Sequence, residues 1–586
     1  MRIDCVHIKG FRNFVDQTIS FDNKTLIVGG NDSGKTNLLY SLRILFDPSL
    51  SPRDLELDLS DFNVQSSPDE IVIEARLIDV TEKCLLSIFK DAVMDGTVCV
   101  RYRLPRDGDY ELYTGPKMDA LEPCQSRSYI RALTLEYVRG SRDLGSFLRR
   151  QQDKLLNISK NQRDDDEADA DDAALLKIQK SLNSLNDEIS DLNYVKGSLA
   201  AVNDEMEKLS SGNSGYRAKF VASNTDAGKL LDNLRLMYLS GNAPLSFGGE
   251  GRGNQLYFAT WLCEQRLPRN QEHVTIYAIE EPEAHLHPHQ QRLLADYLSS
   301  NLDEQVLITT HSPQVAEHFS GGRILRLSEG IDSCGTDAHG CGQDVDDALR
   351  KLGYRLNSIS SEVFFCSGAF LVEGPSERIF YQAACDALNF NLDKSNISVL
   401  SVDGIGFEPY VLVCRALGIP FVLRTDNDVF KVPNTGAFHL AGIERGIRLA
   451  KDCDADVNGF MEGNGIGAET LSWNGPDEKV PQAARDAAGS VREFLKSYGI
   501  YLADVDLETD LANGPLAGEL SKYYMISFPS DVDDLVRTMK HRKAENMHRF
   551  VRSNPHLCCL HNDPILKPVY FLRNLMSARD TDEPGS

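Results

Sequence analysis

The chain has 586 residues, a net charge of −25 and a hydrophobic content of 41%. This length is too great for one hydrophobic core and predicts two to four domains. The negative charge argues against a protein that coats nucleic acid over its whole surface, although it leaves room for a local basic channel. No apolar run approaches the roughly 18 residues of a membrane span, and the N-terminus does not read as a signal peptide, so we expect a cytoplasmic protein without a membrane partner.

A phosphate-binding loop is the first functional motif along the chain. Residues 3–21 alternate apolar and polar side chains, which predicts a strand pair. LIVGG then predicts a buried strand and KTNLLYSLRILF a helix, with GGNDSGKT between them, the G-x-x-x-x-G-K-[ST] pattern. Backbone N–H groups of such a loop surround the phosphates of ATP, while the lysine reaches the β and γ phosphates and the threonine binds Mg²⁺. The predicted ATP contacts here are Gly29, Asn31, Ser33, Gly34, Lys35 and Thr36.

The middle of the chain changes in composition. Residues 163–172 read RDDDEADADD and predict a flexible acidic loop, because clustered like charges do not pack. Apolar residues then recur at spacings of three and four, as in the seam of a short coiled coil. Two interpretations stay open: a helix that packs on its own domain, or a helical arm that pairs two subunits. The seam consists of Leu175, Ile178, Leu182, Leu185, Ile189 and Leu192.

The second half of an ATPase follows from residue 246. SFGGEGRGNQLYFATWL is a glycine-rich turn leading into a helix, in which Gly251 and Gly253 offer N–H groups to a phosphate. The strand IYAIEEPE ends in Glu280, placed to hold the Mg²⁺ shell, and Glu281, placed to polarise the attacking water. His311 ends the strand VLITTHS, in the position of a sensor for the γ-phosphate.

The order of these motifs resembles the ABC-type ATPases of the SMC and recombination-mediator group. The start GFRNF and the form IEEPEAHLHP are most similar to the OLD (overcoming lysogenisation defect) family. The resemblance implies a head-to-head homodimer, or a higher homo-oligomer, that sandwiches ATP. In such dimers the glycine-rich signature acts on the nucleotide of the partner subunit.

Carboxylates follow two predicted parallel strands in the C-terminal part. Glu373 and Glu377 come after the strand AFLV, and Asp426 and Asp428 come after PFVLRT. Open α/β sheets place their sites at the carboxyl ends of parallel strands. Because all the ligands are hard oxygens, the pattern predicts Mg²⁺ or Mn²⁺ rather than zinc.

This second arrangement resembles a TOPRIM domain, and its position after the ATPase is the layout of OLD nucleases. The resemblance implies that Glu373, Glu377, Asp426 and Asp428 bind metal, with Glu373, Asp426 and Asp428 also catalytic. It assigns Glu508 to a second metal, with Asp510 as a further candidate in VDLETDLAN. It puts the catalytic lysine at Lys540 by its spacing to Ala544, and Lys543 is the rival. The family pattern K-G-x-x-A has His541 where glycine is expected.

We therefore predict an α/β protein with an ABC-type ATPase, an inserted helical dimerisation arm and a C-terminal TOPRIM domain. The predicted boundaries are 1–160 and 226–355 for the ATPase, 161–225 for the acidic loop and helical insertion, and 356–586 for the TOPRIM domain with its extension. The predicted function is ATP-regulated, two-metal cleavage of DNA in antiphage defence. The alternatives are an ATP-driven DNA clamp or sensor without nuclease activity, and an effector held inactive in a larger complex with a helicase-like or retron partner.

Overall fold

The computed structural model forms two compact units, which are described separately. The first comprises residues 1–140, 272–283 and 288–586, and the second comprises 141–271 and 284–287. The structure describes residues 1–139, 153, 156–209, 238–240, 243–245, 253, 256–261, 263, 273–300, 302–319, 323–330, 335–353, 357, 360–433, 436–474, 480–526, 531–553 and 555–580.

The N-terminal segment builds an antiparallel sheet and the phosphate loop. The predicted strand pair is confirmed as β1 and β2, which pair from Cys5 opposite Ser20 to Phe11 opposite Phe14. The strand order of the antiparallel sheet is β2-β1-β4-β5-β6-β7, whereas β3 and β8 belong to a second sheet. The elements are β1 (Arg2–Phe11), β2 (Phe14–Ser20), β3 (Lys24–Gly29), α1 (Lys35–Phe46), β4 (Glu70–Ile78), α2 (Lys83–Phe89), β5 (Val98–Pro105), β6 (Glu111–Lys117), β7 (Ala120–Cys124) and β8 (Leu133–Val138).

The second unit contains a long helix where the sequence predicted a flexible acidic loop, so that prediction is wrong. The helix α3 (Asp165–Asp191) begins inside the acidic run, and Asp164 caps it by accepting a hydrogen bond from the N–H of Glu167 at 2.8 Å. Negative side chains in a first helical turn are stabilised by the helix dipole, which explains the outcome. The predicted apolar seam runs along α3, and Leu185 on it is 50% exposed. The other elements are α4 (Asn193–Leu209), β9 (Tyr238–Ser240) and β10 (Ala243–Leu245).

The chain then returns to complete the sheet that holds the phosphate loop. The strand order is β14-β13-β3-β12-β11-β8, and β3 lies centrally with parallel neighbours on both sides. Apolar residues of α1, such as Leu38 and Leu42, fill the core between this sheet and the antiparallel one. The added elements are β11 (Val274–Glu280), α5 (Pro288–Ser300), β12 (Val306–Thr309), α6 (Pro313–His318), β13 (Arg323–Glu329), β14 (Thr336–Gly340) and α7 (Gln343–Leu352).

The C-terminal part has its own parallel sheet, as the βαβ alternation predicted. Its strand order is β16-β15-β17-β21, and a small antiparallel sheet, β18-β19-β20, lies beyond β17 in the chain. The elements are β15 (Gly368–Val372), α8 (Pro375–Ala387), β16 (Ile397–Ser401), α9 (Glu408–Ala416), β17 (Phe421–Thr425), β18 (Val429–Lys431), β19 (Ala437–Leu440), α10 (Ala441–Asp452), α11 (Val457–Gly463), α12 (Ala468–Leu471), β20 (Ser472–Asn474), α13 (Gln482–Lys496), β21 (Ile500–Leu502), α14 (Leu507–Asn513), α15 (Ala517–Tyr524), α16 (Val532–Lys540), α17 (Lys543–Arg552) and α18 (Lys567–Asp580).

Among the residues described, none of the helices is both long enough and apolar enough to cross a membrane. Short 3-10 helices complete the regular structure. They lie at Pro52–Leu55, Leu59–Asp61, Lys90–Ala92, Ser128–Arg131, Ser360–Phe364, Leu557–Leu560 and Pro564–Leu566.

Candidate functional site

The phosphate loop joins β3 to α1 and holds its lysine inward. Lys35 is buried, and its Nζ donates to the carbonyl oxygens of Gly29 at 3.1 Å and Gly30 at 2.6 Å. Burial lowers the pKa of Lys35 to about 8, although Glu281 and other carboxylates act in the opposite direction. An anionic phosphate at the loop would give this ammonium group a charged partner in place of two neutral carbonyls.

The two predicted Mg²⁺ ligands of the ATPase lie in contact. The hydroxyl of Thr36 donates a hydrogen bond to Oε1 of Glu280, at the end of β11. Tyr137, on the neighbouring strand β8, donates its hydroxyl to the other oxygen of the same carboxylate. Burial and the negative charge of Glu280 raise the pKa of Tyr137, which keeps the hydroxyl a donor. Tyr137 has no part in the sequence motifs, and strand pairing alone brings it here.

Glu281 and His311 face each other beyond the strand ends. Oε1 of Glu281 lies 3.3 Å from Nε2 of His311, and the N–H of Glu281 donates to the carbonyl of Thr309 at 3.0 Å. Glu281 has a φ of +43°, which a non-glycine residue adopts only where its surroundings impose it. Burial, and then the charge of Lys35, lower the pKa of His311, so this imidazole is held neutral.

Glu283 supports this pair, although no role was predicted for it from the sequence. Its side chain is buried, and Oε1 accepts hydrogen bonds from the hydroxyl of Thr310 at 2.8 Å and the N–H of His311 at 2.7 Å. Burial raises the pKa of Glu283. The carboxyl therefore fixes the backbone that carries His311. The position was visible within EEPE, but its contacts depend on the fold.

The glycine-rich signature is only partly described. Gly253 lies in a helical turn and is buried, whereas Gly251 lies outside the described residues. Both remain predicted ATP contacts.

The C-terminal carboxylates meet at one edge of the parallel sheet. Strands β15 and β17 are neighbours and run parallel, so Glu373 and Asp426, the residues that follow them, lie side by side. Strand β21 pairs with the other side of β17 and leads into α14, which carries Glu508. The topology therefore places the ends of three strands at a common site, as the sequence predicted for its carboxylates.

Glu373 is held by three donors. Its Oε1 accepts hydrogen bonds from the hydroxyl of Thr425, the N–H of Asp426 at 3.0 Å and Nη1 of Arg445 at 2.7 Å. The same guanidinium contacts the Thr425 hydroxyl. Arg445 lies on α10, far from any carboxylate motif in the sequence. It neutralises one of the charges that crowd this edge.

The negative charge of Asp426 is only partly compensated by its neighbours. It is 9% exposed, and its Oδ1 has no hydrogen-bond partner among the described residues. Burial, together with Glu373 and Glu377, raises its pKa to about 8. Asp428, two residues on, is exposed as a whole residue, but its carboxyl group is partly buried. This partial burial and the charge of Asp506 raise the pKa of Asp428 as well. A divalent cation would relieve this crowding of negative charge.

The remaining carboxylates have local partners. Oε2 of Glu377 accepts the N–H of Gly374 at 2.9 Å and so caps α8, while Oε1 of Glu508 accepts the hydroxyl of Ser376 at 3.3 Å. Asp510 instead pairs with the buried guanidinium of Arg424 at 2.5 Å. Asp510 is therefore committed to an internal ion pair rather than grouped with Asp426.

Both candidate lysines reach this edge. Lys540 forms an ion pair with Asp506, a buried residue that also caps α14 through the N–H of Thr509 at 2.8 Å. Nζ of Lys543 lies 3.1 Å from Oε2 of Glu508. Burial acts to lower the pKa of Lys543, but Glu508, Asp426 and Asp506 together raise it. The sequence missed Asp506, whose only signal was its place before a helix.

The donor set fits a hard divalent cation. The cluster offers only carboxylate oxygens, and one buried oxygen of Asp426 lacks a partner. Within the described part of the chain, no group of three or more His, Cys, Asp or Glu side chains is already arranged to hold a metal ion. Existing ion pairs account for this, because Arg445 pairs with Glu373 and Lys543 pairs with Glu508. Metal binding would require these side chains to exchange partners.

Two family models match the chain. The model of the overcoming lysogenization defect protein-like TOPRIM domain matches residues 364–428, and the model of an AAA ATPase domain matches residues 1–91 and 125–316. The chain is 27% identical to Endonuclease GajA of Bacillus cereus strain VD045, over 87% of this chain and 89% of that protein. The chain resembles the OLD family over most of its length.

Two further similarities complete the comparison. The chain is 31% identical to the OLD nuclease of Thermus scotoductus over 35% of this chain and 41% of that protein. The solved C-terminal region of the Xanthomonas campestris OLD protein is 22% identical, with a TM-score of 0.25, over 38% of this chain and 98% of that one. The predicted family and fold class are confirmed. The chain is an enzyme with an ATPase domain and a TOPRIM nuclease domain, domain types that in general use ATP and a divalent metal.

Proposed function

We propose that this OLD-family chain is an ATP-regulated, divalent-metal-dependent DNA endonuclease. The observation that carries the proposal is the state of Asp426. Its buried Oδ1 has no hydrogen-bond partner in the described part of the chain, and its pKa is raised to about 8 among neighbouring carboxylates. Clusters of this kind are unfavourable for folding alone and are typical of functional sites. The proposed metal ligands are Glu373, Glu377, Asp426, Asp428 and Glu508.

The chain's own residues supply the rest of the chemistry. A bound divalent ion would offer an electropositive centre for hydrolysis of a phosphodiester. Lys540, placed beside Asp506, would neutralise the charge that develops on the phosphate. Arg445 would orient the Glu373 carboxylate and offset its negative charge.

A local basic surface supports DNA as the substrate. Helix α16 carries Arg537 and ends at Lys540, and α17 begins at Lys543, directly after Arg542. The side chains of Arg537 and Arg542 are 79% and 70% exposed and pair with Asp534 and Glu545. Both arginines therefore lie close in the chain to the lysines that touch the carboxylate site. They would contact backbone phosphates without reading sequence.

We assign regulation to the ATPase domain. Nucleotide bound at Lys35, Thr36 and Glu280 would change the position of the strand ends around it. Its hydrolysis would use Glu281 to polarise the attacking water and His311 to sense the γ-phosphate. We further propose a homodimer or higher homo-oligomer, in which the seam of α3 pairs subunits, and a cytoplasmic role in antiphage defence.

The test is cleavage of supercoiled plasmid with Mg²⁺ or Mn²⁺, with and without ATP, by wild type and by Asp426→Ala. Asp454→Asn is the matched control, because Asp454 is an 81%-exposed carboxylate of the same domain that pairs with Arg415. We expect nicking by wild type and Asp454→Asn, and loss of at least about 100-fold in Asp426→Ala.

Three results would count against the proposal in different ways. Equal nicking by Asp426→Ala would remove the carboxylates from the reaction. No nicking by wild type, with DNA-stimulated ATPase intact, would instead favour a clamp or sensor, and activity that appears only after a helicase-like or retron partner is removed would favour a restrained effector.

A further inference from the structure

Arg326 is a buried cation that joins the ATPase sheet to the TOPRIM sheet. It lies on β13 and is 4% exposed. Its guanidinium donates to the carbonyl of Cys366 at 2.9 Å and to that of Leu417 at 3.3 Å, with a longer contact to Gly418 at 3.5 Å. All three carbonyls belong to the C-terminal part, whereas Arg326 belongs to the ATPase sheet. No sequence motif marks this residue.

On the ATPase side, the hairpin that carries Arg326 touches the phosphate loop directly. Leu327, the next residue, pairs with Gly29, and a Cβ at Gly29 would lie only 2.4 Å from the Leu327 carbonyl oxygen. On β14, the hydroxyl of Thr336 donates to the carbonyl of Ser33 at 3.1 Å. The loop therefore cannot shift at Gly29 or Ser33 without moving β13 and β14 or breaking these contacts.

On the TOPRIM side, the carbonyls that Arg326 binds precede the two catalytic strands. Cys366 lies just before β15, which Glu373 directly follows, and the Leu417–Gly418 turn lies just before β17, which Asp426 directly follows. Each strand is five residues long and buried along most of its length, so a displacement at its start reaches its end about 17 Å away. The N–H of Ala369 donates to the carbonyl of Pro420 at 2.9 Å, which joins the two starts.

A second side chain closes the same junction. His339 lies opposite Arg326 in the pairing of β13 with β14. Its imidazole packs against Gly418, where φ is +60° and an added Cβ would lie 2.6 Å from the ring. Arg326 and His339, on adjacent strands of the ATPase sheet, thus both contact the same turn of the C-terminal part.

We propose that Arg326 is a positioning residue that couples the phosphate loop to the carboxylate site. The inference rests on the proposed function, and it specifies how nucleotide at the loop changes cleavage. Arg326 would act through the backbone carbonyls that accept its hydrogen bonds. Its three acceptors fix where β15 and β17 begin relative to Gly29 and Ser33, so the geometry of Glu373 and Asp426 follows the state of the loop.

The test compares Arg326→Lys and Arg326→Met with Arg323→Lys. Arg323 begins the same strand, but its ion pairs with Asp22 and Asp346, at 2.7 and 3.3 Å, stay within the ATPase part. For each protein, plasmid nicking is measured without nucleotide, with ATP and with a non-hydrolysable ATP analogue, and ATP hydrolysis is measured in parallel. The readout is the ratio of nicking rates with and without nucleotide, taken at a temperature where each variant is folded by its circular dichroism.

We expect a wild-type ratio that differs from one by about 5- to 150-fold, the usual range for coupled sites. In both Arg326 variants this ratio should fall to within about 2-fold of one, while ATP hydrolysis stays within about 3-fold of wild type. Arg323→Lys should keep the wild-type ratio. Arg326→Lys retains the charge and one donor group, so it also provides the folded variant if Arg326→Met does not fold.

A wild-type ratio in Arg326→Lys or Arg326→Met would overturn the inference and leave the proposed function standing. A ratio of nicking rates that also falls to one in Arg323→Lys would overturn the inference too, because the effect would then belong to β13 in general. A wild type that nicks DNA at the same rate with and without nucleotide would overturn the proposed regulation itself. That pattern is distinguishable, because it appears before any substitution is made.

Discussion

Asp426→Asn should stabilise the metal-free protein at high pH. The pKa of Asp426 is raised from its ordinary value of 3.8 to about 8. Between these values the native carboxyl binds a proton that the unfolded one has lost. The native state then holds more protons, so the free energy of unfolding falls by about 1.4 kcal/mol for each pH unit. The contribution of Asp426 to the free energy of unfolding is fully present below pH 3.8 and is lost above pH 8.

The magnitude follows from the same linkage. From pH 5 to pH 8 the full effect is about 4 kcal/mol. Water can enter a site at a sheet edge and stabilise the ionised form, so we expect about half of this, ~2 kcal/mol. Asparagine has nearly the same shape as aspartic acid and does not titrate. The variant should therefore match wild type to within about 0.5 kcal/mol at pH 5 and exceed it by about 2 kcal/mol at pH 8.

Urea unfolding in the presence of EDTA at pH 5 and pH 8 measures this difference. Asp454→Asn is again the control, since removing an exposed ion pair changes stability by about 0–1 kcal/mol at either pH. Adding Mn²⁺ at pH 8 should stabilise wild type and leave Asp426→Asn nearly unchanged. The reasoning fails if Asp426→Asn is no more stable than wild type at pH 8, or if its advantage is the same at both pH values.

Three further predictions concern the two sites and the junction between them. Glu281→Gln should lower ATP hydrolysis at least about 100-fold while ATP still binds, as measured by phosphate release and by equilibrium binding; hydrolysis at the wild-type rate would dismiss Glu281 as the water-polarising group. Lys540→Met should lower the nicking rate about 100-fold at saturating Mn²⁺, and a loss confined to Lys543→Met would reassign the cation. Gly418→Ala should cost about 1–3 kcal/mol of unfolding free energy, because φ is +60° and the His339 ring fills the space. Gly489→Ala, inside α13 with nothing within 4 Å, should instead stabilise by about 1 kcal/mol, and the opposite order in urea unfolding would contradict this account.

The strands and their ends were predictable because local patterns decide them. Buried runs such as those of β3, β15 and β17 stop where glycines or carboxylates begin, and a parallel sheet brings its strand ends to one edge. This is why Glu373 and Asp426 could be placed together from the sequence. The prediction of a loop for the acidic run was wrong because two local effects compete there. Charge repulsion suggested a loop, but the cap at Asp164 and the helix dipole favour a helix there.

The supporting residues were beyond prediction because their partners are distant in the chain. Arg445 reaches Glu373 across 72 positions, and Tyr137 reaches Glu280 across 143. The hydrogen bonds that Arg326 donates to the C-terminal part go to backbone carbonyls, which exist at every position and carry no sequence signature. Roles that depend on such pairings emerge only from strand order and register.

Both sites leave a buried acid poorly compensated, and we expect such acids to make the sites sensitive to bound ligands. Burial raises the pKa of Glu283 beside the phosphate loop, and burial and neighbouring charge raise that of Asp426 at the other sheet. Lys35 shows the converse, a buried ammonium with a lowered pKa. A ligand that neutralises such a group stabilises the state that binds it, and by linkage that stabilisation shifts any equilibrium in which the site takes part. Arg326 lies where the two sheets meet. It therefore provides a physical route by which phosphate at Lys35 could change how tightly Asp426 is held.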